Sequence, residues 1–516
     1  MKKFNSYITK SALLAIFFLA STSCENFLDV NEDADQPSSA TPNLLLTPIQ
    51  GLMAINCYEQ GETTAYFAQH VATLSGWYAV KDRWDYTQVT RVGLFRRHFH
   101  DVASNAKNLI ETARAEGSRN YEGVGHVMMV LSTQTATDLF GQMPYLEALK
   151  GNPSPPYDNQ EVIYNGILEE IDEAIALLEA SDETDRLMGN NEDSMYGGDM
   201  NAWLGFAHGL KARLLLHLTP NINQDYNSII AEVDAALATW EDPEFQYIIS
   251  SSDWEMNQWG PSRARPEWDY ITNILNVSAP TPFMVEEVMG YDPITMTVND
   301  PRMPLMMIGD SVVVGLDTLV QYLTVIPSEG KESTRQDDEY PDLYNTYYTS
   351  DDSAQPYMTE EELMFIKAEA AFQNNDPSTA YTAFVNGITI HMERVGVDPA
   401  DIATFLAGTM VPADAASLEL SDIMTQKWLA LYLQAEAWVD MRRHHYATNV
   451  YPGIQRPANL SSYWTPGDNS EWIQRLPYDN QTEEIYNKPE LERLGAYQNP
   501  DWLKVPLWWT GNLDEL

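Results

Sequence analysis

The chain has 516 residues, enough for one large or two ordinary domains with a substantial core. Its 75 acidic residues outnumber 30 basic ones, leaving a formal charge of −45, which argues against nucleic acid or anionic headgroups as partners. The two cysteines, Cys24 and Cys57, provide neither a disulfide framework nor a cysteine metal site.

The first segment reads as a leader. Lys2, Lys3 and Lys10 give a basic start with no acid before Glu25, and Ala12 to Ala20 form a short apolar run. That run falls short of the about 20 residues needed to span ~30 Å of hydrocarbon. Ser21, Thr22 and Ser23 are small and Cys24 follows. Residues 1–23 therefore read as a lipoprotein signal peptide and Cys24 as the lipidation site, although Ser21 stands where the usual lipobox has leucine. An ordinary signal peptide cut nearby, with Cys24 a free thiol, is the alternative. Residues 24–42 read as the lipidated N-terminus and a flexible tether, too polar and charged to fold alone. Two or more acyl chains, at ~0.8 kcal/mol per buried CH₂, would hold such a body at a membrane. Cys57, beside Leu52, Met53 and Ile55, reads as a small buried residue.

Helical periodicity dominates both flanks of the rest. Helices are expected over about 92–116 and 120–139, the second stopped by Gly141 and Pro144. Ile163, Ile167, Ile171, Ile175 and Leu178 stripe the next helix, with Asp158 and Glu161 resembling its capping box. Asp199 should cap a helix carrying Trp203, Phe206, Leu210 and Leu214, and Ile229 to Leu237 mark its partner. Residues 241–357 are dense in Pro, Gly, Trp and Tyr and read as a loop-rich insertion. Strand-like runs there, Ser311 to Leu316 and Leu319 to Ile326, predict a small sheet or hairpin. Helices resume at about 359–374, and Asp376-Pro377 and Asp398-Pro399 each pair an N-cap with a first-turn proline. Met424, Trp428, Leu431, Ala435, Trp438 and Met441 predict one long helix over about 421–445 with a continuous apolar face. The expected class is all-α: tetratricopeptide-like helix pairs forming a scaffold over residues 43–516, with a loop-rich insertion and a little β.

Several stretches occur together that resemble one family. They are Thr137-Asp138-Leu139-Phe140-Gly141-Gln142-Met143-Pro144-Tyr145, Ile167 to Ile175, Tyr196-Gly197-Gly198-Asp199 with Trp203, Lys211 and Arg213, and Asp300-Pro301-Arg302. Glu361 to Ala371, Arg442, and Arg475-Leu476-Pro477-Tyr478 with Glu484 and Asn487 complete the set. In number and order they resemble the SusD/RagB-like nutrient-binding outer-membrane lipoproteins, in the SusD-like branch with the Y-G-G-D motif. The resemblance implies an α-helical protein lipid-anchored in the outer membrane and facing outward. It also implies a SusC-like TonB-dependent transporter as partner, and an oligosaccharide or peptide as ligand. It implies a binding protein, not an enzyme.

The residues themselves carry no nucleophile elbow, zincin helix or P-loop. His98 and His100 are two apart and His444 and His445 adjacent, so neither pair shares a helix face; no metal or cofactor is expected. The acidic loop from Asp182 to Asp193 lacks EF-hand order. Loop aromatics are the candidate ligand contacts: Trp77, Tyr78, Trp84 and Tyr86 around Lys81-Asp82-Arg83, and Trp254, Trp259 and Trp268 near Asn257, Arg263 and Arg265. An indole face offers a flat apolar plate with a polar rim, suited to the C–H face of a sugar. Their competing role is to pack loops on the scaffold, as Trp203, Trp428 and Trp438 should in their helical stripes. A lipid-anchored glycan hydrolase and a helical-repeat adaptor without small-ligand binding remain the rival readings.

Overall fold

The computed structural model describes residues 41–511, apart from 76–78, 90–92, 183, 186–187, 190, 223–224, 251–254 and 264–272. The leader, Cys24 and almost all of the expected tether lie outside the described residues.

The scaffold is a run of helices each packed on its sequence neighbour. It begins with α1 (Pro42–Thr64), α2 (Ser104–Glu116), α3 (Arg119–Phe140) and α4 (Gln160–Ala180). It continues with α5 (Met200–His217), α6 (Tyr226–Leu237), α7 (Glu360–Gln373) and α8 (Pro377–Val395). α2 packs on α3, α3 on α4, α4 on α5 and α5 on α6; α7 then packs on both α6 and α8, so the series closes across the intervening segment. This is the expected all-α class of serial helix pairs. α9 (Pro399–Leu406), α10 (Leu420–Ala430) and α11 (Glu436–Arg443) finish it. Trp203, Trp428 and Trp438 are buried within these layers, as their stripes require. Among the described residues no helix is long and apolar enough to cross a membrane.

Local capping explains several boundaries. Asp199 accepts from the amides of Asn201 and Ala202, Asp376 from Thr379 and Asp398 from Ala400. Two expectations fail. Asp158 caps no helix; its carboxylate accepts from the amides of Tyr145 and Leu146 (3.0 and 2.8 Å), closing the turn after α3. The helix expected over 421–445 is broken between α10 and α11, where Leu433 adopts φ 61°. Gly61 of α1 lies so close that a Cβ there would come 2.1 Å from the Leu433 carbonyl oxygen. The break is thus set by a neighbouring helix, which a stripe within 421–445 cannot reveal.

The strands are few and short. β1 (Val71–Thr73) pairs antiparallel with β3 (Ser278–Pro280), and β2 (Glu244–Phe245) with β6 (Gln355–Pro356). β4 (Asp310–Val314) and β5 (Asp317–Gln321) form the expected hairpin, turned by Gly315 at φ 70°.

Buried charge ties the layers together. Arg213 of α5 grips both oxygens of Glu362 on α7 at 2.7 Å. Arg443 of α11 grips both oxygens of Glu369 at 2.6 Å. His217 contacts Asp138 and Glu436 inside the core; burial alone would depress its pKa, yet the Glu436 and Asp138 carboxylates raise it to about 9. Asp300 and Arg302 pair with no exposure, and Arg302 reaches on to His391 (3.0 Å) and Gln426 (2.7 Å). The turn around Tyr196-Gly197-Gly198 is organised by Asp193, whose carboxylate accepts from Gln50 Nε2 (2.7 Å), Trp203 Nε1 (2.8 Å) and the Gly198 amide (3.0 Å). The acidic loop is therefore a hub filled by protein donors at Asp193, while Asp182 and Asp185 pair with Arg119.

Candidate ligand-binding site

The β1–β3 ladder positions the two aromatic loops. Thr73 pairs with Ser278, so the chain leaving β1 and the chain entering β3 meet at the same end of the ladder. The pairing extends one step, with the Leu74 amide donating to the Val277 carbonyl at 2.8 Å. A third segment joins there: the Lys331 amide donates to the Leu74 carbonyl at 2.8 Å. Asp82 locks the base. Its Oδ2 accepts from the Thr73 amide (3.2 Å), the Thr73 hydroxyl (3.0 Å) and the Ser328 amide (2.8 Å), while Oδ1 is buried without a partner.

Burial pushes the Asp82 carboxyl up from 3.8 to about 6, although the Ser328 and Thr73 hydrogen bonds oppose it. The folded protein therefore holds this proton where the unfolded chain has lost it, and stability rises as pH falls from about 6 toward 3.8. Going from about pH 7 to about pH 4, the native protein should gain about 2–3 kcal/mol relative to Asp82→Asn. Urea midpoints of both proteins at the two pH values check this; a constant difference contradicts it.

The structure places the candidate aromatics in two groups. Trp77, Tyr78, Trp254 and Trp268 lie outside the described residues, as do Arg265 and the side chain of Arg263. Trp84, Tyr86 and Trp259 are buried. Trp84 is wholly inside, at φ 50°, with its ring against Trp464 (centroids 5.1 Å) and Trp472 (5.8 Å). Its carbonyl accepts from Tyr463 (2.7 Å) and Trp464 Nε1 (3.2 Å). Tyr86 hydrogen-bonds Glu484, and Trp259 meets Tyr58 edge-on at 4.8 Å. Asn257 spends its amide on the carbonyls of Tyr348 and Ser350, both at 2.9 Å. These residues hold the roots of the loops and offer no open ring face. The rings covering Trp84, those of Trp464 and Trp472, come from the irregular C-terminal segment, far away in sequence. Arg83 and Thr87 stay exposed beside the locked base.

Sequence reasoning missed a cavity of ≈ 390 Å³ flanking this region, lined by Phe95, Phe99, the proline-rich 144–155 loop and the turn from Thr482 to Asn487. The Pro153-Ser154-Pro155 run opposite Phe95 and Phe99 was the available signal.

Residues 34–462 match the SusD-like family, described as "Starch-binding associating with outer membrane", and the chain belongs to that family. No match is found among curated proteins. Among solved structures, a chitin-binding protein superposes with TM-score 0.70 at 19% identity, over 92% of this chain and 100% of that one. A chitin-binding SusD homologue from Flavobacterium johnsoniae gives 0.68 at 18% identity, over 91% and 99%. A SusD/RagB family protein from Bacteroides thetaiotaomicron gives 0.67 at 22% identity, over 92% and 99%. At such identities these likenesses carry the fold.

Proposed function

We propose that this protein is an outward-facing, lipid-anchored outer-membrane protein that binds nutrient oligosaccharides and delivers them to a SusC-like TonB-dependent transporter. The observation that carries the reading is the ladder geometry: the chain leaving Thr73 and the chain entering Ser278 meet at one end of β1–β3, and the sequence carries Trp77 and Tyr78 after the first and Trp254 and Trp268 before the second. Loops rooted together can present several stacking rings to one chain of sugars. The family's starch-binding description and the two chitin-binding fold neighbours favour glycan over peptide. The body should be retained on insoluble starch or chitin and release no reducing ends. Turnover abolished by one Asp or Glu substitution would instead establish the hydrolase, and retention only by peptides would move the ligand class.

The anchor belongs to the same reading. Residues 1–23 are removed and Cys24 carries the acyl chains, with 24–42 as leash, which confines the protein and its transporter to one surface and raises their effective concentration. Labelled palmitate should enter the native protein and not Cys24→Ser. Label in both would remove the anchor from the account.

A further inference from the structure

The ≈ 390 Å³ cavity has a built interior that the loop reading does not use. One wall is the place where the short helix Leu94–Arg97 widens into a π-helical turn, His98–Ala103. Such turns recur at functional sites because they displace a side chain from the regular helix surface. Here Phe99 is half-buried on the cavity wall, 5.1 Å from the ring of Phe95. Phe95 is fixed in turn by edge-on contacts with Phe140 (5.2 Å) and Tyr478 (5.5 Å). The facing wall is the proline-rich loop.

The third wall is polar. Asn487 is only 6% exposed. Its amide donates to Glu483 Oε2 at 2.6 Å, and its carbonyl oxygen is left without a hydrogen-bond partner. Glu483 also accepts from the Tyr157 hydroxyl. Asn152 and His100 stand exposed at the rim.

We propose that this cavity is a second carbohydrate site, taking one neutral pyranose ring. Its volume falls in the range of small-ligand pockets, about 300–1,000 Å³. Phe99 gives a plate for the ring's C–H face. The Glu483 carboxyl on the polar wall and the exposed Asn152 amide at the rim are polar groups that a sugar hydroxyl can pair with and a hydrocarbon cannot. Arg96 and His100, both exposed on the same wall as Phe99, offer donors to a sugar hydroxyl, while Glu483 beside them and the strongly acidic chain disfavour an anion. The site adjoins the loop cluster, since Glu484, next to Glu483, bonds Tyr86. It rests on the carbohydrate reading above but on different residues.

The test is calorimetry of the full protein with maltotriose and chitotriose as probes. Two sites per chain are expected for the bound probe. Phe99→Leu, which keeps the apolar volume, should weaken one site about tenfold, and Trp77→Ala/Trp268→Ala only the other. If Phe99→Leu lowers the melting temperature, the exposed Asn152→Ala carries the test, with a smaller loss at the same site. One site, abolished by the loop variant and indifferent to Phe99→Leu and Asn152→Ala, overturns the second site and leaves the loop reading standing. Binding of neither probe overturns both.

Discussion

Arg213→Met should lower the unfolding free energy by about 3–5 kcal/mol, because it strands a buried carboxylate. Arg213 and Glu362 are almost fully buried, and the guanidinium also donates to the Tyr357 carbonyl at 3.0 Å. Glu436 lies 3.9 Å from the same guanidinium, so a second buried acid loses support. The pair joins α5 to α7 across the insertion, where the chain between the two helices is longest and least regular. Much of the loss should return in Arg213→Met/Glu362→Leu, which removes both charges and keeps apolar volume. Urea unfolding of the three proteins measures this. A single variant as stable as the native protein, or a double variant no better than the single, contradicts the assignment.

Gly198→Val should be nearly as damaging. Gly198 has φ 91°, and a Cβ there would lie 2.3 Å from the Met188 carbonyl oxygen, a backbone atom. The strained backbone costs about 1–3 kcal/mol and the overpacking about 1–3 more. The turn cannot shift cheaply, because Asp193 binds the Gly198 amide, Trp203 and Gln50 at once. Gly117 is the control: it also has positive φ, 74°, but nothing lies within 4 Å of its Cβ. Gly117→Val should therefore pay the backbone term alone. Equal midpoint shifts for the two variants would refute the close-approach argument.

These two sites also mark what could be read in the chain before its structure. Asp376-Pro377 and Asp398-Pro399 announced their helices because a cap and a first-turn proline act within one turn. The serial helix pairs were legible for the same reason: each apolar stripe lies within one element. The α10–α11 break was not, since its cause is Gly61, on the first helix. The candidate site divides similarly. Trp84 and Trp259 looked like ligand plates because local composition marks them as loop residues. What buries them are Trp464 and Trp472 in one case and Tyr58 in the other, contacts no local pattern contains. Asp82 is flanked in sequence by the candidate aromatics, and only the ladder geometry shows it to be the loop anchor.

The loop platform is tested most directly by calorimetry of the best-retained oligosaccharide with Trp77→Ala, Trp254→Ala and Trp268→Ala, singly and together. Each stacking ring lost should cost ~1–3 kcal/mol of binding, by analogy with base stacking on aromatics. The triple variant should lose measurable affinity at the loop site while melting at the native temperature. Native affinity in the triple variant, or a loss that only tracks unfolding, would contradict the account.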